Sequence, residues 1–382
     1  MHPYDRIALD DLRRRRSAKW AEYPPDVLPV WVAEMDFPLA EPIRRELLDL
    51  IERSDTGYAD PAGLPEAYAG FAARRWGHTV RPDRMIAVPD VMRGLIATLE
   101  VVTDRGDPVV VHTPAYPPFF ASIAYSERRL VAAPLARGDD GRHRLDLDAL
   151  EARFRAGAST YLLNNPHNPT GLVLTADVLV AIAELCDRYG VLVLADEVHA
   201  PLVYPGRTFV PFAAIDRDSA RRSISLTAAS KGWNLPGLKC ALAVAHDDGS
   251  WKLLDRIPDE VRLGRSIVGV AASTAAFDEG EPWLDDTVGY LDQTRRFLAE
   301  RLADRLPGVG YVVPDATYLA WLDCRSLGLG DDPARAFLDD GRVALFPGPK
   351  FGDEGRGFAR FNFATARPIV AEAVDRMAAI LS

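Results

Sequence analysis

Short, mostly apolar runs alternate with amphipathic stretches through the middle of the chain. The runs are continuous rather than alternating apolar and polar, which is typical of strands buried on both faces of a parallel sheet. They are Val109–His112, Thr160–Leu163, Val191–Ala195, Ser223–Thr227 and Ala241–Ala245. The pattern predicts an α/β fold with a mostly parallel sheet flanked by helices.

The clearest helical pattern covers residues 176–189, and Thr175 precedes it as a candidate N-cap. Its apolar face is formed by Val178, Ile182, Leu185, Cys186 and Tyr189. On this face Cys186 is expected to be a core residue, since free cysteines are commonly buried.

The C-terminal third changes character and predicts a smaller α+β lobe. A long helix is expected from Trp283 to about Arg305, with a last helix from Pro368. Short strands are expected near Tyr318–Leu322, Arg342–Leu345 and Phe358–Phe363. We therefore predict an N-terminal segment (1–40) that joins the small lobe, a large domain (41–270), and a connecting helix with a C-terminal small domain (271–382). A ligand would bind in the cleft between the lobes.

Charge and hydropathy exclude several classes of protein. The 382 residues carry a formal net charge of −10, which argues against nucleic acid or an anionic membrane as a partner. No apolar run approaches the roughly 20 residues of a membrane span. The arginines at 13–16 are not followed by an apolar stretch, so the N-terminus does not have the pattern of a secretory signal.

The nucleophilic residues are few. Cys186, Cys240 and Cys324 form no C-x-x-C pair, so neither a metal site nor a disulfide framework is expected, and a reducing cytoplasm is the expected location. Only five residues are lysine, and arginine cannot replace them as an amine nucleophile because it stays protonated.

Two motifs follow predicted strands and place polar groups at the sheet edge where open α/β sheets bind ligands. The first is the loop Asn164–Gly171 with its two Asn-Pro steps, which could also be a plain turn. The second is Asp196, which ends a very apolar strand. A buried acid needs a partner such as a protonated pyridine nitrogen, although a turn-capping role is the alternative.

Two further motifs carry cations. Lys231 follows a strand and is flanked by small residues, so its amine can reach a pocket, lose solvent and become a Schiff-base nucleophile. The alternative is a solvated surface lysine. Arg360 lies on the face of a predicted strand opposite Ala359 and Phe361, where it could bind a carboxylate with two hydrogen bonds or form a surface ion pair.

Together and in this order, the motifs resemble the class I/II aminotransferases of fold type I pyridoxal-phosphate (PLP) enzymes, across nearly the whole chain. The sequences of the motifs most resemble those of the cystathionine β-lyase or cysteine C–S lyase subgroup. The resembling segments are Pro29–Phe37, Thr56–Tyr58, Thr113–Phe119, Asn165–Gly171, Asp196–His199, Ser230–Lys231, Thr317–Trp321 and Arg360–Asn362. The resemblance implies a seven-stranded sheet in the large domain.

The resemblance also implies a role for each matching position. Lys231 would hold PLP as a Schiff base and then move the substrate Cα proton. Asp196 would pair with the pyridine nitrogen, and Arg360 would bind the substrate α-carboxylate. Asn168 would hydrogen-bond the phenolic oxygen of the cofactor and contact the substrate, with His199 nearby.

Other matching positions would complete the pocket. Tyr116 would stack on the cofactor ring, unless it is a simple core residue. The backbone amides of Val91 and Met92 would bind the phosphate at a helix N-terminus. Ser230 and Lys239 would add phosphate contacts.

Two positions extend the implied site beyond these motifs. Ala33 would contact the substrate. Tyr58 would arrive from a partner subunit as a catalytic and cofactor-binding residue, which makes a homodimer the functional unit.

Three positions depart from the family pattern. Related proteins usually carry Asp at the position of Glu34, Gly at that of Asp90 and Ser at that of Ala228. Asp90 places a carboxylate beside the expected phosphate site, and Ala228 lacks a hydroxyl there.

The resemblance implies a PLP-dependent β-lyase that cleaves cysteine S-conjugates to thiol, pyruvate and ammonia. Cystathionine is the default substrate. An aminotransferase or other PLP chemistry on a cysteine S-conjugate of specialised metabolism is one alternative, and a regulatory protein on a PLP fold is another.

Overall fold

The computed structural model describes residues 2–381, and fifteen strands lie within that range. They are β1 (Leu28–Pro29), β2 (Met85–Val88), β3 (Pro108–Thr113), β4 (Arg129–Pro134), β5 (Ala136–Arg137), β6 (His143–Arg144), β7 (Thr160–Asn164), β8 (Leu192–Asp196), β9 (Ile224–Thr227), β10 (Ala241–Ala245), β11 (Gly310–Tyr311), β12 (Leu319–Asp323), β13 (Val343–Ala344), β14 (Phe346–Pro347) and β15 (Phe358–Asn362).

Sixteen α-helices lie in the same range of the chain. They are α1 (Leu9–Arg13), α2 (Ala18–Ala21), α3 (Glu41–Glu52), α4 (Leu64–Trp76), α5 (Val91–Val102), α6 (Pro117–Tyr125), α7 (Leu147–Arg155), α8 (Ala176–Tyr189), α9 (Asp218–Arg221), α10 (Ala229–Gly232), α11 (Asp248–Leu254), α12 (Asp259–Leu263), α13 (Ile267–Glu279), α14 (Glu281–Arg305), α15 (Pro333–Asp339) and α16 (Arg367–Ala379). Within residues 2–381, no helix is long and apolar enough to cross a membrane.

Seven strands form the central sheet in the order β2-β10-β9-β8-β7-β3-β4. The pairs β9–β8, β8–β7, β7–β3 and β3–β4 are parallel, whereas β10 is antiparallel to both of its neighbours. The carboxyl ends of the other six strands therefore share one edge of the sheet, and β10 begins at that edge. This edge is where ligands bind in open α/β sheets.

Both faces of the central sheet are covered, as the continuous apolar runs predicted. In β3, Val109 and Val111 belong to one hydrophobic cluster and Val110 belongs to another. In β8, Leu194 packs into the first cluster and Val193 into the second. This alternation follows from the period of two along a strand. Burial on both faces explains why these strands are apolar throughout.

A smaller sheet and both chain ends form a second layer of structure. The order of the smaller sheet is β11-β12-β15-β14, with every pair antiparallel. β1 near the N-terminus pairs in parallel with β13 near the C-terminus. The division of the chain into an N-terminal segment that joins the small lobe, a large domain and a C-terminal small domain stays a prediction, as do its boundaries at 40 and 270.

The predicted fold class is confirmed, with a few local differences. The helix at 176–189 has the predicted bounds, and Cys186 is fully buried in it. The grouping of β10 with the parallel strands was wrong. A continuous apolar run indicates that a strand is buried, but it does not indicate whether the strand runs parallel or antiparallel to its neighbours. The segment between β9 and β10 holds no long crossover helix, so the chain turns back antiparallel. Strands β2 and β4 were not predicted from the sequence. β2 is only four residues long, and β4 is an edge strand with exposed Leu130, so neither forms a long, fully buried apolar run.

Candidate active site

A cavity of about 340 Å³ opens at the carboxyl edge of the central sheet. Most of the predicted site residues meet there. The cavity is lined by Ala33, Asp90, Val91, Met92, Tyr116, Phe119, Asn164, Asn168, Asp196, Val198, His199, Ser230, Lys231, Leu235, Pro236, Lys239 and Cys240. Across residues 2–381 there is no group of three or more His, Cys, Asp or Glu side chains arranged to hold a metal ion.

The loop after β7 is folded by its own asparagines. Asn164 accepts a hydrogen bond at Oδ1 from the backbone N of Asn168 (2.8 Å), and Asn165 Oδ1 accepts from the N of Leu174 (3.1 Å). At Gly171, φ is +67°, and an added Cβ would lie 2.3 Å from Cβ of Pro314. Glycine is therefore required at this turn. The loop holds the Asn168 side chain, which is buried, in the cavity wall.

Asp196 ends β8 with its carboxylate buried in the cavity wall. Its side chain is 3% exposed, and Oδ1 accepts a hydrogen bond from the N of Val198 (3.1 Å). Burial raises the pKa of Asp196 to about 7, against the opposing effects of that hydrogen bond and of the Lys231 charge. A cationic partner in the cavity would stabilise the ionised carboxylate. A protonated pyridine nitrogen is such a partner.

His199 lies next to this acid in the same motif. It is buried, and burial shifts its pKa well below the ordinary value. Its Nδ1 has no hydrogen-bond partner among residues 2–381. A buried polar atom without a partner indicates that a ligand or water completes the site.

Lys231 reaches the cavity from α10. Its Nζ donates a hydrogen bond to the carbonyl oxygen of Ala33 (3.0 Å). Burial and, to a smaller extent, the positive charge of Arg360 lower the pKa of Lys231 to about 8, against the opposing effect of the nearby carboxylates of Glu34 and Asp196. A substantial fraction of the amine is therefore neutral near pH 8 and able to act as a nucleophile.

Arg360 is a buried cation beside the cavity. It is 1% exposed and donates from Nη1 to Oδ1 of Asn168 and from Nη2 to the carbonyl oxygen of Trp31, both at 3.0 Å. Its Cζ lies 4.8 Å from the ring centroid of Phe346 and 5.1 Å from that of Phe351. Among residues 2–381 the Nε atom has no partner. Burial lowers the pKa of Arg360 to about 10.

No carboxylate of the described chain neutralises this guanidinium. A buried charge without a counterion is costly, so the arrangement favours an anionic ligand. The two aromatic rings fix the plane of the guanidinium and leave it able to bind a carboxylate with two hydrogen bonds.

The N-terminus of α5 forms the other end of the cavity. Val91 and Met92 line the cavity in the first turn of this helix, and Ser230 and Lys239 line it nearby. Free backbone amides and the helix dipole favour an anion at such a position. At its start, the carboxylate of Asp90 caps the helix.

Residues 31–36, here called the roof segment, bring Ala33 to the cavity wall and are held by side chains from other parts of the chain. Each of the six backbone carbonyls accepts at least one such hydrogen bond. The donors are Arg360, Asn362, Lys231, Tyr318, Lys19, Asn234 and Arg15. Two of these donors, Lys231 and Arg360, are themselves predicted site residues.

The far end of the roof segment is fixed by a buried ion pair. Lys19 Nζ lies 2.7 Å from Oδ2 of Asp36, and both side chains are 1% exposed. Trp20 donates from Nε1 to the other oxygen of the same carboxylate (2.8 Å). No role was predicted for Lys19, because its neighbours are charged and aromatic and lysine is rarely buried. Its burial could have been suspected only from Asp36, which lies in a segment whose other residues, apart from Glu34, are apolar.

Two predicted site residues are not among those that line the cavity. Arg360 lies beside it and donates a hydrogen bond to the lining residue Asn168, whereas this single chain does not bring Tyr58 to the site. Its side chain is 91% exposed. Tyr116, by contrast, lines the cavity, with its ring 5.6 Å from that of Phe119 and perpendicular to it. Ala228 is buried immediately before α10, so its missing hydroxyl leaves Ser230 as the hydroxyl of that turn.

The residues around the cavity fit PLP. Asp196 offers an acid for the ring nitrogen and Lys231 an amine for the aldehyde. The start of α5 offers amides for the phosphate. The orphaned atoms of His199 and Arg360 leave room for further hydrogen bonds with the cofactor or its substrate.

Comparison with known proteins defines the class. The family profile of aminotransferase class I and II matches residues 25–377. This chain belongs to the aminotransferase class I and II family. Within it, the chain is 46% identical to a Mycobacterium tuberculosis protein that carries the provisional name cystathionine β-lyase, over 98% of this chain and 97% of that one.

Two further relatives point to the same subgroup. Cystathionine β-lyase of Corynebacterium glutamicum is 37% identical, over 98% of this chain and 99% of that one. The structure of the PLP-bound C–S lyase from Staphylococcus hominis superposes with a TM-score of 0.91 at 25% identity, covering 100% of this chain and 99% of that one. The family and subgroup predicted from the sequence are therefore confirmed.

Proposed function

We propose that this chain is a PLP-dependent carbon–sulfur β-lyase that cleaves cysteine S-conjugates to thiol, pyruvate and ammonia. The observation that carries the proposal is a pair of basic residues, Lys231 in the cavity wall and Arg360 beside it on Asn168, neither with an acidic hydrogen-bond partner among residues 2–381. An amino-acid substrate supplies the missing carboxylate. The relatives named for cystathionine β-lyase and C–S lyase support the reaction type.

In this proposal, different residues of the chain bind the substrate, move its proton and hold the cofactor. Arg360 binds the substrate α-carboxylate and so fixes the orientation of Cα. The neutral amine of Lys231 takes the proton from Cα, and the β-thiolate then leaves from Cβ. PLP, when bound, supplies the electron sink for the pair left by that proton. Asp196 holds the proton on the ring nitrogen, and the roof segment limits the access of water.

Two of the side chains that hold the roof segment are also those proposed to bind the cofactor and the substrate. Lys231 donates to the carbonyl of Ala33 and Arg360 to that of Trp31 in the chain alone. Each donor is needed by the substrate or the cofactor in the proposed reaction. Tyr318 also donates to the Ala33 carbonyl (3.0 Å), so that oxygen keeps a partner when Lys231 leaves.

The reaction type is tested with cystathionine and S-benzylcysteine and no added keto acid. We expect many turnovers for each active site, with thiol, pyruvate and ammonia released in equal amounts. Aspartate and glutamate serve as controls and should react little. Among residues 2–381, the one cation lining the cavity besides Lys231 is Lys239, which lies at the proposed phosphate end, and Glu34 would repel an acidic side chain. A reaction that stops after one equivalent and resumes only on addition of a keto acid identifies a transaminase instead.

The pKa of Lys231 predicts how cofactor capture depends on pH. Only the neutral amine attacks an aldehyde, so the rate should rise about tenfold per pH unit below pH 7 and level off above pH 8. The measurement follows visible absorbance after PLP is added to cofactor-free protein. Nα-acetyl-lysine is the control, and its rate should keep rising toward pH 10. A protein profile that also rises to pH 10 would contradict a buried amine.

We further propose that the functional unit is a homodimer in the cytoplasm. Arg265 donates to the carbonyl of Ala59 (2.8 Å) and so places the segment of Tyr58 beside α12, where Leu263 is 53% exposed. Exposed apolar side chains that cluster in this way are typical of an interface. The three cysteines are free thiols, which suits a reducing compartment.

The dimer is tested through Tyr58. Light scattering should give a mass near twice the chain mass of 42.0 kDa. Tyr58→Ala should reduce kcat/KM by about tenfold or more if the phenol enters the partner's site. Tyr125→Ala is the matched control, since Tyr125 is 67% exposed elsewhere and should leave activity unchanged. A monomer with full activity would refute both the homodimer and the proposed role of Tyr58 in the partner's site.

A further inference from the structure

An acidic side chain already occupies the anion-binding end of the cavity. Asp90 is the N-cap of the twelve-residue helix α5, and its Oδ1 accepts a hydrogen bond from the backbone N of Arg93 (2.8 Å). Its Oδ2 lies 2.9 Å from Nζ of Lys239. A phosphate bound at this helix end would therefore compete with the carboxylate for Lys239 and for the positive end of the helix dipole.

This carboxylate is ionised at neutral pH. Burial alone would raise the pKa of Asp90, but the hydrogen bond from Arg93 N and the contact with Lys239 lower it more, and the net shift is downward. The position thus carries a permanent negative charge in the wall of the cavity.

Another helix of the same chain is capped by an aspartate that lies neither in the cavity nor beside Lys239. Asp146 caps α7 in the same way, with its carboxylate accepting from the N of Ala149 (2.9 Å). Asp146 lines none of the cavity described above. Asp90 differs from Asp146 in two respects: it lines the cavity, and its carboxylate also contacts Lys239.

We propose that Asp90 is an internal competitor for the cofactor phosphate. In the cofactor-free chain it occupies the start of α5 and holds Lys239, and a bound phosphate must displace it or bind beside its charge. Asp90 therefore weakens cofactor retention and sets the concentration of PLP at which the enzyme is loaded. This inference rests on the proposed PLP dependence of the chain.

The test compares Asp90→Asn with the wild type and with Asp146→Asn. Asparagine still caps a helix, so the fold should be kept while the charge is removed. The dissociation constant of PLP is measured by quenching of tryptophan fluorescence in cofactor-free protein. Asp90→Asn should bind PLP about tenfold more tightly, since one negative charge next to the phosphate is gone. Asp146→Asn should bind it like the wild type.

A second measurement uses inorganic phosphate, which lacks the aldehyde of PLP and therefore reports phosphate binding without Schiff-base formation. Inorganic phosphate should raise the melting temperature of cofactor-free Asp90→Asn more than that of the wild type. Equal or weaker binding of PLP and phosphate by Asp90→Asn would overturn the inference, as would an equal gain in Asp146→Asn. If the wild type binds no PLP at any concentration, it is the proposed function that fails.

Discussion

Replacing Lys231 with alanine is expected to abolish the lysine-linked cofactor and to reduce turnover by on the order of 10⁴-fold or more. Lys231 lines the cavity, with its Nζ 3.0 Å from the carbonyl oxygen of Ala33. In the proposed reaction, its loss removes both the attachment point of the cofactor and the base that takes the Cα proton. Visible absorbance of the purified protein and the rate of pyruvate release measure the two effects separately.

The control for this variant is Lys252→Ala. Lys252 is an exposed residue of α11, so its loss should leave both absorbance and rate unchanged. Borohydride reduction followed by peptide mapping should place the cofactor on the peptide that contains Lys231. Its recovery on any other lysine would show that the assignment is wrong.

Replacing Arg360 with alanine should lower kcat/KM for a cysteine S-conjugate by on the order of 10²-fold or more, because a charge-assisted pair with the carboxylate is lost. Arg360→Lys should recover only part of the loss, since an ammonium cannot form two parallel hydrogen bonds in the plane set by Phe346 and Phe351. The measurement is steady-state kinetics with S-benzylcysteine.

A substrate without a carboxylate separates recognition from general damage to the site. S-benzylcysteamine lacks the group that Arg360 is proposed to bind, so its slow reaction should change little in Arg360→Ala. Arg356→Ala is the matched control, because Arg356 is exposed and paired with Asp331 on the surface. If Arg360→Ala stays within tenfold of the wild type on S-benzylcysteine, the residue is not the carboxylate clamp.

The sequence predicted the part of the site that lies next to strand ends. Lys231, Asp196 and Asn168 are each close in sequence to a buried apolar strand, and parallel strands bring such ends to one edge. Arg360 was predicted from alternation within its strand. These arguments need only local patterns and the general geometry of a sheet.

The attachments of the roof segment could not be predicted in the same way. Asn234 and Asn362 bind its carbonyls across 199 and 328 residues of chain, and no local pattern reports such contacts. The buried pair of Lys19 and Asp36 runs against the rule that lysine is exposed. The direction of β10 depended on how its connection turns, which an apolar run does not encode.

The roof segment is attached through its backbone carbonyls, and this makes part of it a promising place for protein engineering. Every amino acid has a carbonyl, so new side chains at Trp31, Val32 and Glu34 leave the acceptors for Arg360 and Asn362 in place. A library randomised at these three positions would vary the groups near the substrate while keeping the anchor at Asp36. Selection from such a library could shift the range of accepted thiol leaving groups at little cost in folding.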